Sequence, residues 1–291
     1  MTFASVLLVV LAAFLHAGWN LLAKRGAAIG PVFVFAYNLI ACAAYAPWAL
    51  YLIANGDGIA WTGLGVGFLV LSGLIHLAYS LCLQRGYQLA DLSVVYPVAR
   101  GTGPMLSTLG AFAVLGELPS GQGLAGLFLV VAGIGLIATQ GDLSAFRRPG
   151  GQSGMRWGGA TGGLIASYTV VDAYAVKMLG IAPVVLDWFA NLLRFFLLAP
   201  FVIANPRRAL AAMRGYWWLA AGIGLVSPLS YILVLAALTS GAPLSLVAPM
   251  REMSMMVGVL MGMAILREEV GPWRLAGCGA LIAGVVLLSG A

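Results

Sequence analysis

The sequence has few charged residues and lacks a nucleotide-binding motif. Only 8% of its 291 residues are Asp, Glu, Lys or Arg, whereas 62% are hydrophobic, and the mean hydropathy is +1.01. A water-soluble protein needs far more polar surface than this composition supplies, so a soluble globular fold is excluded. The glycine-rich Walker A pattern that cradles phosphates does not occur. We therefore expect no ATP-driven pumping by this chain itself.

Cysteine is scarce as well. The three cysteines lie inside apolar segments, without the paired spacing of a disulfide framework or a zinc site: Cys42, Cys82 and Cys278. The sequence also has no two-His metal spacing and no paired catalytic aspartate motif, so we predict no metal, no cofactor and no enzyme activity. The basic residues behind the net charge of +6 are scattered through short connections without interleaved aromatics. Their expected partner is the membrane surface and not nucleic acid.

Ten apolar runs, separated by charged or Gly/Pro-rich breaks, fill most of the chain. Roughly 20 apolar residues cross the hydrocarbon core of a bilayer as a helix, and each run is close to that length. We predict an all-α membrane protein with ten transmembrane helices, at residues 2–23, 31–53, 62–83, 92–115, 121–140, 157–178, 181–204, 216–238, 244–266 and 273–290.

The distribution of Lys and Arg indicates the orientation, because these residues stay on the cytoplasmic side in short loops. The even-numbered connections hold only Lys177. The odd-numbered connections and the adjoining helix ends hold Lys24, Arg25, Arg85, Arg147, Arg148, Arg156, Arg207, Arg208, Arg214, Arg267 and Arg274. We expect a multi-pass protein of a bacterial inner membrane with both termini in the periplasm.

The two halves of the sequence match at a fixed offset of 152 residues. The matched pairs are His16 and Tyr168, Asn20 and Asp172, Pro31 and Pro183, Tyr79 and Tyr231, Ser93 and Ser245, Pro97 and Pro249, Arg100 and Glu252, and Glu117 and Glu269. This offset indicates a duplication, with a first unit at 1–140, a connecting loop at 141–156 and a second unit at 157–291. Five helices per unit is an odd number, so we expect the units to be inverted in the membrane, a recurrent transporter design.

Three short motifs resemble a known family. They are His16-Ala-Gly-Trp-Asn20 followed by Lys24, Ser93-Val-Val-Tyr-Pro-Val-Ala-Arg100, and Gly116-Glu117. In this order and spacing the chain resembles the EamA family of the drug/metabolite transporter (DMT) superfamily over nearly its whole length. The resemblance implies a basket of ten helices around a central cavity. It also implies transport, often export, of amino acids or other small metabolites.

Ionisable residues inside the predicted helices are the first functional candidates, because a charge in lipid is costly unless it faces protein, water or a partner. Arg100 and Glu252 lie about eight residues inside the fourth and ninth predicted helices, near the bilayer middle. From opposite walls of an axial cavity they could bind a zwitterion, the guanidinium holding its carboxylate and the glutamate its ammonium. The alternative is that they pair with each other as a structural bridge or gate.

Other polar side chains recur at helical spacing around this pair. The remaining predicted substrate-binding residues are His16, Trp19, Asn20, Tyr79, Tyr96, Tyr168, Asp172 and Tyr231. Packing between helices is the alternative for each. Asp187, Arg194, Lys177 and Arg251 stay undecided between the cavity and a place near a helix end or in a local pair.

Proton coupling requires a group that can change its charge inside the membrane. Glu252, Asp172 and His16 are the candidates, and Glu252 is favoured. Pro97 and Pro249 are the predicted hinges, because proline interrupts the hydrogen-bond ladder of a helix.

These features predict a secondary transporter that exports small metabolites by alternating access, with amino acids and related zwitterions favoured. The expected partners are a small-molecule substrate, the lipid bilayer and, for coupling, protons. The expected state is a monomer or a weak homodimer. One alternative is a flippase for lipids or lipid-linked head groups, whose cavity should open laterally to lipid. A less favoured one is an intramembrane enzyme using His16, His76, Asp172 or Asp187.

Overall fold

A computed structural model of the chain describes residues 1–26, 29–89, 92–147, 150–266 and 270–291. Within these ranges every regular element is helical. The α-helices are α1 (Phe3–Gly26), α2 (Pro31–Ala54), α3 (Gly63–Leu89), α4 (Leu92–Leu115), α5 (Gly121–Thr139), α6 (Gly151–Lys177), α7 (Pro183–Ile203), α8 (Pro206–Ala212), α9 (Trp217–Thr239), α10 (Leu244–Arg251), α11 (Met253–Leu266) and α12 (Pro272–Ser289). A short 3₁₀ helix covers Ser144–Arg147.

Long apolar helices make this a multi-pass membrane protein. Eight segments of the described chain are long and apolar enough to cross a bilayer: Phe3–Ala23, Pro31–Ala54, Gly63–Leu83, Gly121–Thr139, Pro183–Ile203, Trp217–Thr239, Leu244–Met261 and Pro272–Ser289. With 24 and 27 residues, α4 and α6 have the necessary length, but they are less apolar. Ten spans therefore stay a prediction, in which α4 and α6 supply the other two.

The polar residues of α4 and α6 are tolerated because the two helices pack closely against each other. Ser107 and Thr108 on α4 are buried, as are Thr161 and Asp172 on α6. Buried hydroxyl groups need hydrogen-bond partners, and Ser107 Oγ donates to the carbonyl of Gly103 at 2.8 Å. These helices hide polar groups from lipid that an isolated span could not carry.

Glycines bring the backbones of α5 and α12 into direct contact. A Cβ atom on Gly133 would lie 2.8 Å from the carbonyl oxygen of Gly277. A Cβ atom on Gly284 would lie 2.8 Å from the carbonyl oxygen of Gly126. Small residues at a crossing allow this approach, which drives helix association in membranes through close packing.

Replacing Gly133 with leucine should push α5 away from α12. The added side chain has no room beside Gly277, and overpacking of this kind costs about 1–3 kcal/mol or more. We expect a lower melting temperature and less folded protein in membranes, measured by size-exclusion chromatography after heating. The control is Gly135→Leu, since nothing lies within 4 Å of a Cβ there and the gain in helix propensity is the same. Equal stability of the two variants would contradict the crossing.

The second half of the chain begins its first helix earlier than predicted. Helix α6 starts at Gly151 and not at residue 157, preceded by Gly150 with a left-handed φ of 99°. Its first turns are rich in glycine and polar residues, so they carry no apolar signal in the sequence. The connection between the halves is therefore shorter than the predicted loop at 141–156.

The predicted ninth helix is divided at Glu252, three residues after Pro249. Proline lacks an N–H group and crowds the preceding turn. The carbonyl of Pro249 accepts the N–H of Glu252 at 3.0 Å, which tightens the turn that ends α10. Pro97, the equivalent residue in the first half, lies inside a continuous α4. The interruption expected at both prolines thus occurs only at the second, and the hinge role of both stays a prediction.

A large apolar core fills one end of the helix bundle and also runs along α5 and α12. It joins residues from the first half of α1, the second halves of α6 and α9, and α10: Val9, Ala12, Ala13, Val176, Leu235, Leu238, Leu244 and Met250. The ends of α6 and α9 and the start of α10 adjoin even-numbered connections, which hold few basic residues.

Candidate functional site

A cavity of about 590 Å³ occupies the other end of the bundle. It is lined by one face of α7, by the middle of α9 and by a few residues of α6 and α10. Its other walls are the second halves of α1 and α3 and the first halves of α2 and α4. These helix ends adjoin the odd-numbered connections, where most basic residues lie. The volume falls within the range of small-molecule sites. The cavity therefore extends from the middle of the helices toward the basic end, and the apolar core closes it on the other side.

Arg100 and Glu252 contact each other near the middle of the bundle. Arg100 Nη1 lies 3.2 Å from Glu252 Oε2, and Arg251 Nε lies 3.8 Å from Oε1 of the same carboxylate. Arg100 Nη2 donates to His16 Nε2 at 3.1 Å. Of the two arrangements that the sequence left open, the structure has the pair in contact and not on opposite walls, because α4 packs against α10 and brings the two equivalent positions side by side.

Most of the predicted site residues do line the cavity. They are His16, Trp19 and Asn20 on α1, Tyr79 on α3, Tyr96 and Arg100 on α4, Tyr168 on α6 and Tyr231 on α9. Within the described chain, Glu252 and Asp172 are fully buried and do not line it. The wall therefore presents a guanidinium group, while these two carboxylates lie inside the protein.

Asp172 belongs to a cluster of aromatic side chains. The hydroxyl of Tyr231 donates to its Oδ2 at 2.5 Å, and His76 Nε2 lies 3.8 Å from the same oxygen. His76 stacks on Tyr168 with ring centroids 4.1 Å apart, and its Nδ1 lies 2.9 Å from the carbonyl of Ser72. A carbonyl only accepts, so Nδ1 must carry the proton of the neutral ring. The lone pair of Nε2 then faces the carboxylate, and a proton between them would bind both groups.

Helix α7 carries a polar strip, formed by Asp187, Asn191 and Arg194, that lines the cavity. Spacings of four and three residues place the three side chains on one face of the helix. Arg194 Nη2 donates to Asn191 Oδ1 at 2.8 Å, and Asn191 Nδ2 donates to Asp187 Oδ2 at 2.8 Å. Arg251 lines the cavity as well. Sequence reasoning left the charged members undecided and missed Asn191, although its helical spacing from them was the available signal.

At the closed end, Glu117 connects three parts of the chain. Its carboxylate accepts the backbone N–H groups of Leu244 at 2.6 Å and Ser245 at 2.8 Å. Lys177 Nζ lies 3.2 Å from Glu117 Oε1 and donates to the carbonyl of Ala242 at 3.1 Å. A carboxylate at a helix start satisfies free N–H groups and complements the helix dipole. This clasp, formed by Glu117, Lys177, Leu244 and Ser245, holds α4, α6 and α10 together.

Acid should loosen the clasp. Burial raises the pKa of the Glu117 carboxyl, but hydrogen bonds from Ser245 and Leu244 and the charge of Lys177 outweigh burial, so the net pKa lies below its ordinary value. A depressed folded-state pKa adds stability above the ordinary pKa of a carboxyl, and this stability is lost as the pH falls through the folded-state pKa. We expect Glu117→Gln to lower stability at neutral pH and to lose less on acidification, measured by thermal unfolding across pH. The control is Asp57→Asn at an exposed site. An unchanged pH profile in Glu117→Gln would contradict this role.

Comparison with known proteins establishes the fold and leaves the family open. The sequence matches no protein-family model and no curated protein. A solved structure described only as the crystal structure of a protein covers 99% of this chain and 96% of its own, with a TM-score of 0.77 and 16% identity. At this identity the likeness shows the fold alone. The cavity and the residues that line it are therefore the structural basis for a function.

Proposed function

We propose that the chain is a secondary transporter of small metabolites that carry a carboxylate, with amino acids and related zwitterions as the leading class. The observation that carries this proposal is a cavity at one end of a membrane-helix bundle, with ionised side chains near the middle and an apolar core closing the other end. Such a cavity holds a molecule within the membrane without forming a continuous channel. Transport then requires a change of conformation that opens the closed end.

Two inverted five-helix repeats of the EamA type would account for this architecture. At the 152-residue offset α1 corresponds to α6, α2 to α7, α3 to α9, α4 to α10 with α11, and α5 to α12. Pro31 and Pro183 each begin a helix. The packing follows the same symmetry, because α1 packs on α9 as α6 packs on α3, and α2 packs on α9 as α7 packs on α3. These correspondences support a duplication at the level of helices as well as of residues.

Inverted halves provide the mechanism of alternating access. Two near-equivalent halves can exchange conformations, so that the open end closes and the closed end opens around a site in the middle. The sequence counterparts of the clasp, 152 residues away, are Arg25, Leu92, Ser93 and Glu269, of which Glu269 lies outside the described residues. If the odd-numbered connections are cytoplasmic, as the basic residues predict, the described conformation faces the cytoplasm.

The cavity wall favours an anionic group on the substrate. Arg100 and Arg251 both line the cavity, whereas Glu252, the carboxylate that they share, is buried away from it. Two guanidinium groups and one carboxylate leave one positive charge, which a substrate carboxylate would balance through parallel hydrogen bonds. Trp19 also lines the cavity, and its buried Nε1 has no hydrogen-bond partner in the described part of the chain.

The geometry favours Asp172 with His76 as the proton carrier. A proton on Glu252 would leave Arg100 and Arg251 without their shared counter-charge. Asp172 instead has a tyrosine hydroxyl and the Nε2 atom of His76 as neighbours, so a proton there removes no ion pair with a permanent cation. We therefore prefer Asp172 over Glu252, which the sequence alone favoured.

Purified protein in liposomes tests the proposal. The panel comprises the amino acids, the amines formed by removing their carboxylates, and the acids formed by removing their amino groups, each with and without a pH gradient. We expect exchange of at least one zwitterion, and accumulation of it when a gradient is imposed. A protein that moves none of the panel contradicts the proposal. Movement of labelled phospholipid between leaflets instead would favour the flippase alternative.

A further inference from the structure

The polar strip of α7 stands out because the rest of that helix is apolar. Asp187 is 6% exposed and Asn191 is 5% exposed, yet both side chains border the cavity together with Arg194. Burying a carboxylate and a guanidinium group at this depth of a membrane costs free energy unless they face other protein groups, water or a charged partner. The strip is therefore a candidate for contact with whatever fills the cavity.

The strip exists in only one of the two halves. The positions 152 residues earlier, on α2, are Phe35, Leu39 and Cys42, which are all apolar. Features shared by both halves, such as the paired prolines at 31 and 183, serve the common scaffold. A polar strip in one half is not needed for that scaffold, so it is free to serve recognition.

Hydrogen bonds within the strip leave the Asp187 carboxylate with capacity to accept. Asn191 lies between Asp187 and Arg194 and bonds to both, so the amide links the carboxylate to the guanidinium. In the described part of the chain no ion pair within 4 Å joins Asp187 to a cation. An ionised carboxylate offers about four acceptor positions, of which the Asn191 bond uses one.

We infer that this strip is a cation-binding subsite, in which Asp187 binds the primary ammonium group of the substrate and Asn191 holds the carboxylate in place. The inference rests on the proposed transport function and deepens it. The substrate carboxylate lies at Arg100 and Arg251 and its ammonium at Asp187. Asp187 thus takes the role that the sequence assigned to Glu252, whose carboxylate is already shared by two guanidinium groups.

Binding and exchange of matched ligands test the subsite. The amino acid that the wild-type protein transports best is compared with the acid that lacks only its amino group, in wild type and in Asp187→Asn. We expect Asp187→Asn to weaken binding of the amino acid by roughly tenfold or more, the effect of one charge-assisted hydrogen bond. Binding of the deaminated acid should stay unchanged, because that ligand has no ammonium. Titration calorimetry measures binding, and counterflow in liposomes measures exchange.

Two further variants separate recognition from folding. Asp57→Asn makes the same chemical change at an exposed position and should leave both ligands unaffected. Asp187→Glu keeps the negative charge but moves it by one methylene group, so it should weaken binding of the amino acid less than Asp187→Asn does. If Asp187→Asn lost equal affinity for both ligands, or no affinity for the amino acid, the inferred subsite would be contradicted while transport would still be established. A wild-type protein that binds and moves no ligand of the panel would instead refute the proposed function.

Discussion

Arg100→Ala should strongly reduce or abolish transport while the protein still inserts and folds. The substitution removes the guanidinium that faces the cavity and that contacts His16 and Glu252. A hydrogen bond to a charged group contributes about 1.5–3 kcal/mol, which corresponds to a roughly 10- to 100-fold loss of affinity. Glu252 keeps Arg251 as a counter-charge, so the fold should survive. The initial rate of exchange in liposomes, normalised to folded protein, measures the effect.

Glu252→Ala should also lose transport, but because the protein is destabilised. It leaves Arg100 and Arg251 buried without the carboxylate between them. Breaking a buried pair by removing one partner costs about 3–5 kcal/mol. We therefore expect Glu252→Ala to lose transport and also to melt at a lower temperature than Arg100→Ala.

Arg85→Ala provides the matched control for the arginine. Arg85 is exposed near the end of α3, donates to Gln88 at 3.3 Å and is not one of the residues that line the cavity. It should transport at the wild-type rate. Near-normal rates in both Arg100→Ala and Glu252→Ala would contradict a part for this pair in transport and reduce it to a structural bridge.

Asp172→Asn should abolish proton-driven accumulation and leave exchange intact. Asparagine keeps an oxygen that can accept from Tyr231, but it cannot take up the proton that Asp172 and His76 would share. A carrier without its titrating group moves substrate down a concentration gradient only. We expect accumulation under a pH gradient to fall to equilibrium distribution, whereas counterflow stays within about twofold of wild type, in keeping with the small effect of a substitution that preserves packing.

Two further variants serve as comparisons for Asp172→Asn. Asp57→Asn should retain full accumulation, because Asp57 is exposed between α2 and α3. Glu252→Gln distinguishes the rival carboxylate, since it should impair exchange and accumulation together. Accumulation that survives in Asp172→Asn would contradict the assignment of coupling to this cluster.

The helices could be read from the sequence wherever apolar composition decides the structure. Pro31 and Pro183 mark helix starts because proline fits the first turn, where its missing N–H is not needed. The start of α6 at Gly151 was missed because glycine and polar residues give no hydropathy signal there. The break at Glu252 follows a proline, but Pro97 in a continuous α4 shows that proline alone does not determine where a helix ends.

The sequence predicts how deep Arg100 and Glu252 lie in the helix bundle, but it does not determine whether their side chains contact each other. Counting residues along a helix places Arg100 and Glu252 near the middle of the bundle. Whether equivalent residues face each other across a cavity or touch depends on how closely α4 and α10 approach, and that distance has no sequence signal. The strip of α7 illustrates the same limit, since the spacing of Asp187 and Arg194 shows a shared face but not what that face meets.

The glycine crossing of α5 and α12 restricts how the molecule can move. At Gly126, Gly133, Gly277 and Gly284 the two backbones are in contact, and neighbouring side chains pack tightly around them, so a sliding motion would press backbone against backbone. We therefore expect α5 and α12 to move together as one rigid unit. Any rearrangement that exposes the cavity to the far side of the membrane must therefore come from movement of the remaining helices relative to α5 and α12. Crosslinking α5 to α12 should leave the transport rate unchanged.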